Sequence, residues 1–144
     1  MKYVLITGGS RGIGASTAIE CSRRGFGVIL TWNSRQDSAN RWLSIFRPTG
    51  TCISVAVKRR DACSFSKFRS VLEGTMESLW GTRELHGLVN NAGYGLFNPI
   101  ETVTEAQFDS LMNVHLKGPF FLTQTLLSLL QPNAAIVNIT SATT

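Results

Sequence analysis

Cysteine, histidine and tyrosine are all scarce in this 144-residue chain, and each scarcity removes a class of function. The three cysteines, Cys21, Cys52 and Cys63, form no CxxC pair and leave an odd one over. Neither a disulfide framework nor a thiolate metal site is expected, and the three read as small apolar fillers in a reducing compartment. The two histidines, His86 and His115, stand in no spacing with Cys or Asp that would hold zinc. Long hydrophobic runs are absent too. The longest, Pro119 to Leu130, is too short for a bilayer and is broken by Thr, Gln and Ser. The opening MKYVLITGG is too brief for a signal peptide and no cleavage pattern follows it, so a cytoplasmic protein without a membrane partner is expected. Lys58-Arg59-Arg60 is too short for a groove-tracking basic stripe, which argues against nucleic acid.

What is present is ordinary for a folded chain: 43% apolar residues and 16% charged, with a net charge of +5. That charge suits an anionic ligand and equally a solvated basic face. Apolar runs recur at YVLIT (3–7), GVILTW (27–32), CISVAV (52–57), LHGLVN (85–90) and AIVNIT (135–140). They are near-continuous Val/Ile/Leu instead of alternating, as expected of buried strands covered on both faces. Helical patterns separate them. The first, from Gly12, ends at Arg23-Arg24 with Gly25 beyond; a second runs from about Asp37 to Pro48. A third places Phe65, Phe68, Leu72, Met76 and Leu79 at helical spacing. Thr104 to Gln107 is a capping-box pattern, and the helical stretch it opens passes Asn113 and continues through Leu130 until Pro132. Alternation of this kind predicts one α/β domain over 1–144, built on a parallel sheet with right-handed crossovers.

The first strand runs directly into Thr7-Gly8-Gly9-Ser10-Arg11-Gly12-Ile13-Gly14. A glycine turn between a strand and a helix, with a second strand at βαβ distance, is the setting that dinucleotide binding needs. Gly8 permits the tight turn. Gly12 and Gly14 present no Cβ to an approaching pyrophosphate, and the helix start offers unpaired N–H groups with a positive dipole end.

The spacing TGxxxGxG resembles that of the short-chain dehydrogenase/reductase family. Further landmarks fall in that family's order along essentially the whole chain: Asp61, Asn90-Asn91-Ala92-Gly93, Asn113 and Ser141. The resemblance implies a Rossmann-like doubly wound parallel sheet, ending here after its fifth strand. It implies that Gly8, Ser10, Arg11, Gly12, Ile13 and Gly14 form the coenzyme turn and that Asp61 meets the adenine; Ala62 replaces the family's usual Val or Leu. Asn90, Ala92 and Gly93 would hold the end of the fourth strand near the adenosine ribose, although a purely bracing role for that turn is almost as good a reading. Members that use NAD usually close the second strand with a carboxylate for the ribose 2′-hydroxyl. Here that place is taken by Trp32, followed by Asn33-Ser34-Arg35. Arg11 and Arg35, with Asn33 between the strand and Arg35, would pair a 2′-phosphate, so NADP (NADPH) is favoured over NAD.

By the same resemblance, Ser141 would hydrogen-bond the oxygen of a carbonyl or alcohol substrate and Asn113 would hold a relay water. An alternative for Asn113 is that it satisfies an orphan backbone group. The family's acid/base tyrosine, with a lysine four residues on, belongs on a later helix. The tyrosines present are Tyr3 and Tyr94, and Tyr94 is followed at that spacing by Asn98. Tyr94 is therefore expected to shape a substrate rim with Phe97. The expectation is an NADP-dependent oxidoreductase represented by a catalytically incomplete portion, with the fifth strand left as an exposed edge. In complete relatives the long helix often packs on a second subunit, so a homo-oligomer is expected. The alternatives are a non-catalytic NADP-binding module and, behind it, an interaction protein using the basic surface.

Overall fold

The apolar runs form a single parallel sheet in a computed structural model that describes residues 1–32, 52–56 and 62–141. Its strands are β1 (Lys2–Ile6), β2 (Phe26–Trp32), β3 (Cys52–Ala56), β4 (Leu85–Asn90) and β5 (Leu130–Asn138). The helices are α1 (Gly12–Arg23), α2 (Ala62–Trp80), α3 (Glu105–Met112) and α4 (Gly118–Leu126). The helix expected between Asp37 and Pro48 lies outside the described residues. Strand order is β3-β2-β1-β4-β5, and every neighbouring pair is parallel. The chain winds outward from β1 to β3, then returns to β4 on the other side of β1. That reversal is the doubly wound, Rossmann-like arrangement, and it opens a crevice at the carboxyl ends of β1 and β4.

Both sheet faces are packed because successive side chains of a strand point to opposite sides. Tyr3 and Leu5 join Ile29, Leu88 and the α2 residues Phe68, Leu72 and Met76 on one face, with Leu122 and Leu126 of α4. Val4, Ile6, Val28, Leu30 and Val89 meet Ala18 of α1 on the other. The expected buried stripe on α2 needs one correction. Leu79 is exposed, and Trp80 packs in its stead, stacked on Tyr3 with ring centroids 4.5 Å apart. By the helix period residue 79 shares the angular range of Phe68 and Leu72, so the period alone does not decide which side chain of the last turn is covered.

Two further expectations change in the second half. The capping box at Thr104 forms as expected: its side chain accepts from the Gln107 N–H, and the Gln107 side chain accepts from the Thr104 N–H. The helix that follows is not continuous to Leu130. A π segment spans Asn113–Lys117, α4 ends at Leu126, and a 3-10 turn over Leu127–Leu129 leads into β5. Gly118 N–H donates to the Asn113 carbonyl five residues back, where a Cβ on Gly118 would sit 2.9 Å from that oxygen. Pro119 has no N–H to continue the normal ladder. The widened turn thus follows from Gly-Pro at 118–119.

β5 begins at Leu130, earlier than expected, but its pairing with β4 shifts register between Leu85 and Gly87 and is regular only from Ala135. Pro132 lacks a donor and Asn133 has φ 73°, so the intervening residues bulge. The strand lies at the sheet edge with Ile136 and Val137 exposed, where its composition suggested burial on both faces. Among the described residues, no helix is long and apolar enough to cross a membrane, and no cluster of His, Cys, Asp or Glu could hold a metal ion.

Candidate active site

The crevice between β1 and β4 is stitched by two short polar side chains. Thr7, at the end of β1, is buried and its Oγ1 accepts from the backbone N–H groups of Asn91 and Ala92, each at 3.0 Å. Asn91 answers in the opposite direction: its Nδ2 donates to the carbonyls of Thr7 at 2.9 Å and Gly8 at 3.2 Å. The loop after β4 is therefore fixed against the glycine turn after β1. Neither Thr7 nor Asn91 stood out in the sequence, since Thr is at home in a strand and Asn91 hid beside Asn90. The signal available was a hydroxyl residue ending one strand and an amide ending its neighbour.

The glycines of the turn divide their work differently from the simplest expectation. A Cβ on Gly14 would collide with the Asn91 amide and the Gly8 carbonyl, and one on Gly8 would lie 2.8 Å from Ala92 Cα. Those two vacancies serve packing within the protein. Gly12, at φ 56°, has nothing within 4 Å of where a Cβ would be, so its open side faces outward. Arg11 precedes α1 in extended conformation and makes no side-chain cap. The first N–H groups of α1 carry the positive end of the helix dipole. Arg11 and Ile13 are exposed on the turn, and Ser10 is half-buried within it. An open glycine surface, a cation and the positive end of a helix dipole at one helix start fit a phosphate-bearing coenzyme.

Asn90 supplies a second test of fit. It is 7% exposed, and its Nδ2 donates to Asn138 Oδ1 of β5 at 2.9 Å and reaches Thr123 Oγ1 at 3.5 Å. Its own Oδ1 has no partner among the described residues. A buried acceptor without a donor is costly, on the order of 1–3 kcal/mol, which leaves a place for a ligand or water donor. Asn90 and Ala92 line both cavities of the crevice. The smaller, about 40 Å³, also touches Thr7, Asn113 and Gly118 and has room for one water. The larger, about 530 Å³, lies between α4 and β5 and is walled by His115, Phe120, Leu127, Ile136, Asn138 and Thr140. That is the volume of a small-molecule site.

The structure thus brings Gly8, Ser10, Arg11, Gly12, Ile13 and Gly14 into one turn, and Asn90, Ala92 and Asn113 into one crevice. Gly93 lies on the loop just beyond, against His115. Ser141 is exposed and follows Thr140, which lines the larger cleft. Asn33, Arg35 and Asp61 lie outside the described residues. Burial pushes the thiol of Cys21, on α1, above the ordinary value, Arg24 opposing and Glu20 adding to the rise, which disfavours the thiolate.

Known proteins share this arrangement. The sequence profile of the short chain dehydrogenase family matches residues 2–144. The short-chain dehydrogenase/reductase FrzI of Cladobotryum sp is 33% identical over 140 residues, covering 97% of this chain and 52% of that protein. The hydroxynaphthalene reductase-like protein Arp2 of Metarhizium majus is 32% identical over 85% of this chain and 44% of its own. A crystal structure of landomycin C-6 ketoreductase LanV with bound NADP and rabelomycin superposes with a TM-score of 0.91 at 32% identity, covering 97% of this chain and 58% of that one. The chain spans about half the length of the curated relatives it matches. With the family profile running the length of this same sheet and turn, the chain belongs to the short chain dehydrogenase family.

Proposed function

We propose that this chain is the coenzyme-binding portion of an NADP-dependent oxidoreductase acting on a carbonyl or alcohol substrate in the cytoplasm. The observation that carries the reading is the Gly12 surface, open beside Arg11 at the start of α1. NADP is preferred to NAD on two supports. No carboxylate follows β2 in Trp32-Asn33-Ser34-Arg35, so nothing there repels a 2′-phosphate. The LanV structure that this fold matches holds NADP.

When bound, the nicotinamide supplies or receives the hydride. Arg11 and Arg35 hold the extra phosphate, the α1 amides hold the pyrophosphate, and Asp61 meets the adenine. Thr7 and Asn91 keep the loop of Ala92 and Gly93 seated as the floor of the crevice. Ser141 Oγ donates to the substrate oxygen, and Asn113 holds a water in the small cavity beside Asn90. The proton itself needs a group that this chain does not offer. Tyr3 is buried against Trp80, and Tyr94 is bonded to Ser110, with no lysine four residues beyond either. Free phenol titrates near ~10 and needs a cationic neighbour to act at neutral pH. The chain alone is accordingly a binding unit without turnover. That makes the non-catalytic NADP-binding module the second reading, favoured by the same missing pair.

Calorimetric titration of residues 1–144 with NADPH and NADH tests both readings. NADPH is expected to bind roughly tenfold or more tighter, about 1.4 kcal/mol. Gly12→Val should abolish binding, and Arg11→Glu should weaken NADPH more than NADH. Absence of heat with either coenzyme on folded protein rejects the proposal, and steady reduction of ketones at enzymatic rates rejects its incompleteness.

A further inference from the structure

The loop that follows β4 is held from outside by a residue that the coenzyme reading leaves unused. His115 stands on the π segment, twenty-one positions after Tyr94. Its Nε2 lies 2.8 Å from the Tyr94 carbonyl oxygen and 3.4 Å from the Tyr94 amide nitrogen. One ring nitrogen cannot donate and accept together, and the shorter contact decides: Nε2–H donates to the carbonyl. The two rings also meet, with centroids 6.1 Å apart at 46°. The Tyr94 hydroxyl is bonded to Ser110 Oγ on α3. Tyr94 is thus held by its main chain and by its side-chain tip.

Gly93 gives an independent observation. A Cβ there would lie 2.5 Å from His115 Cε1, and the backbone of Gly93 is outside the left-handed region. The imidazole, not the backbone conformation, is what requires glycine at 93. His115 and Ala92 both wall the 530 Å³ cleft. Whatever fixes the loop therefore fixes one wall of that space.

We propose that His115 is a positioning residue that latches the Ala92–Gly95 loop through its Nε2–H and thereby fixes one wall of the substrate cleft. The cleft's role as the substrate site rests on the function proposed above; the latch itself does not. Neutral hydrogen bonds of this kind are worth about 0.5–1.5 kcal/mol, so the effects to look for are roughly three- to tenfold.

Amide exchange by NMR and chemical denaturation of the 1–144 chain, both without coenzyme, decide the matter. His115→Leu removes the donor and should speed exchange at Tyr94 and Gly95 by roughly three- to tenfold. His115→Gln, whose amide can reach the same carbonyl, should restore the slow rates. Gly93→Ala should lower the folding constant by about fivefold or more in the parent and by little in His115→Ala, since the collision is then gone. Equal exchange in the Leu variant and the parent overturns the proposal. So does a Gln variant that behaves as Leu does, or a Gly93→Ala penalty that persists in His115→Ala. A chain that keeps this pattern but binds no coenzyme sinks the function reading and leaves the latch standing.

Discussion

Thr7 shows how much one hydroxyl can decide at a strand end. Its Oγ1 takes two backbone N–H groups at once, and replacing it by the isosteric Val would take that acceptor from the Ala92 N–H and leave the Asn91 N–H only its 3.1 Å bond to the Val89 carbonyl. The expected cost of Thr7→Val is about 1–3 kcal/mol, with Thr7→Ser much closer to the parent, as read by urea denaturation. This contact was invisible beforehand because a β-branched residue at the end of an apolar run needs no special explanation. The glycines were visible, but not their separate duties. Spacing marked Gly8, Gly12 and Gly14 alike, whereas only the folded turn reveals that two of the three are filled by Asn91 and Ala92.

Among elements, α2 offers the sharpest contrast between a pattern and its outcome. Leu72 is fully buried against the sheet, and Leu79, about two turns further on, is 57% exposed. Leu72→Ala should cost about 2–5 kcal/mol in thermal or denaturant unfolding. Leu79→Ala should fall within about 0.5 kcal/mol of the parent. Strands were legible because fully covered β-strands read as unbroken apolar runs, and the ends of β4 were read without error. The Thr104 box was legible because it is local chemistry. The π segment was not, since the 3.6-residue period that reveals a helix fails where one residue is added, and Gly118-Pro119 was its sole trace. The edge place of the fifth strand was anticipated, but the exposure of the Ile136 and Val137 side chains was less legible: composition reports that a residue is apolar, while neighbours decide whether it is covered.

At the scale of the whole molecule, the main unexplained feature is apolar surface. Phe108, Met112, Leu116 and Phe120 recur every four residues on α3, the π segment and α4, and each is exposed, as is Leu127 beyond. Exposed side chains in such a row favour burial against another surface. The ion pairs add little to counter this: Arg24–Glu20, Arg69–Glu73 and Arg83–Glu77 all lie on open or half-open surface. We expect self-association that rises with concentration in sedimentation velocity, and a return toward monomer in Phe120→Glu. A monomer at every concentration up to about 100 μM would reject the homo-oligomer, since specific pairs of standard size bind at or below micromolar levels.

The widened turn at Asn113–Lys117 also carries a lesson about insertions and deletions. Loss of one residue there would let an ordinary ladder close, the Gly118 N–H meeting the Asn113 carbonyl four positions back instead of five. Everything downstream would keep its facing, with Leu122 and Leu126 still on the sheet. A second deletion, with no extra residue left to absorb it, would turn α4 by about 100° and swing them away.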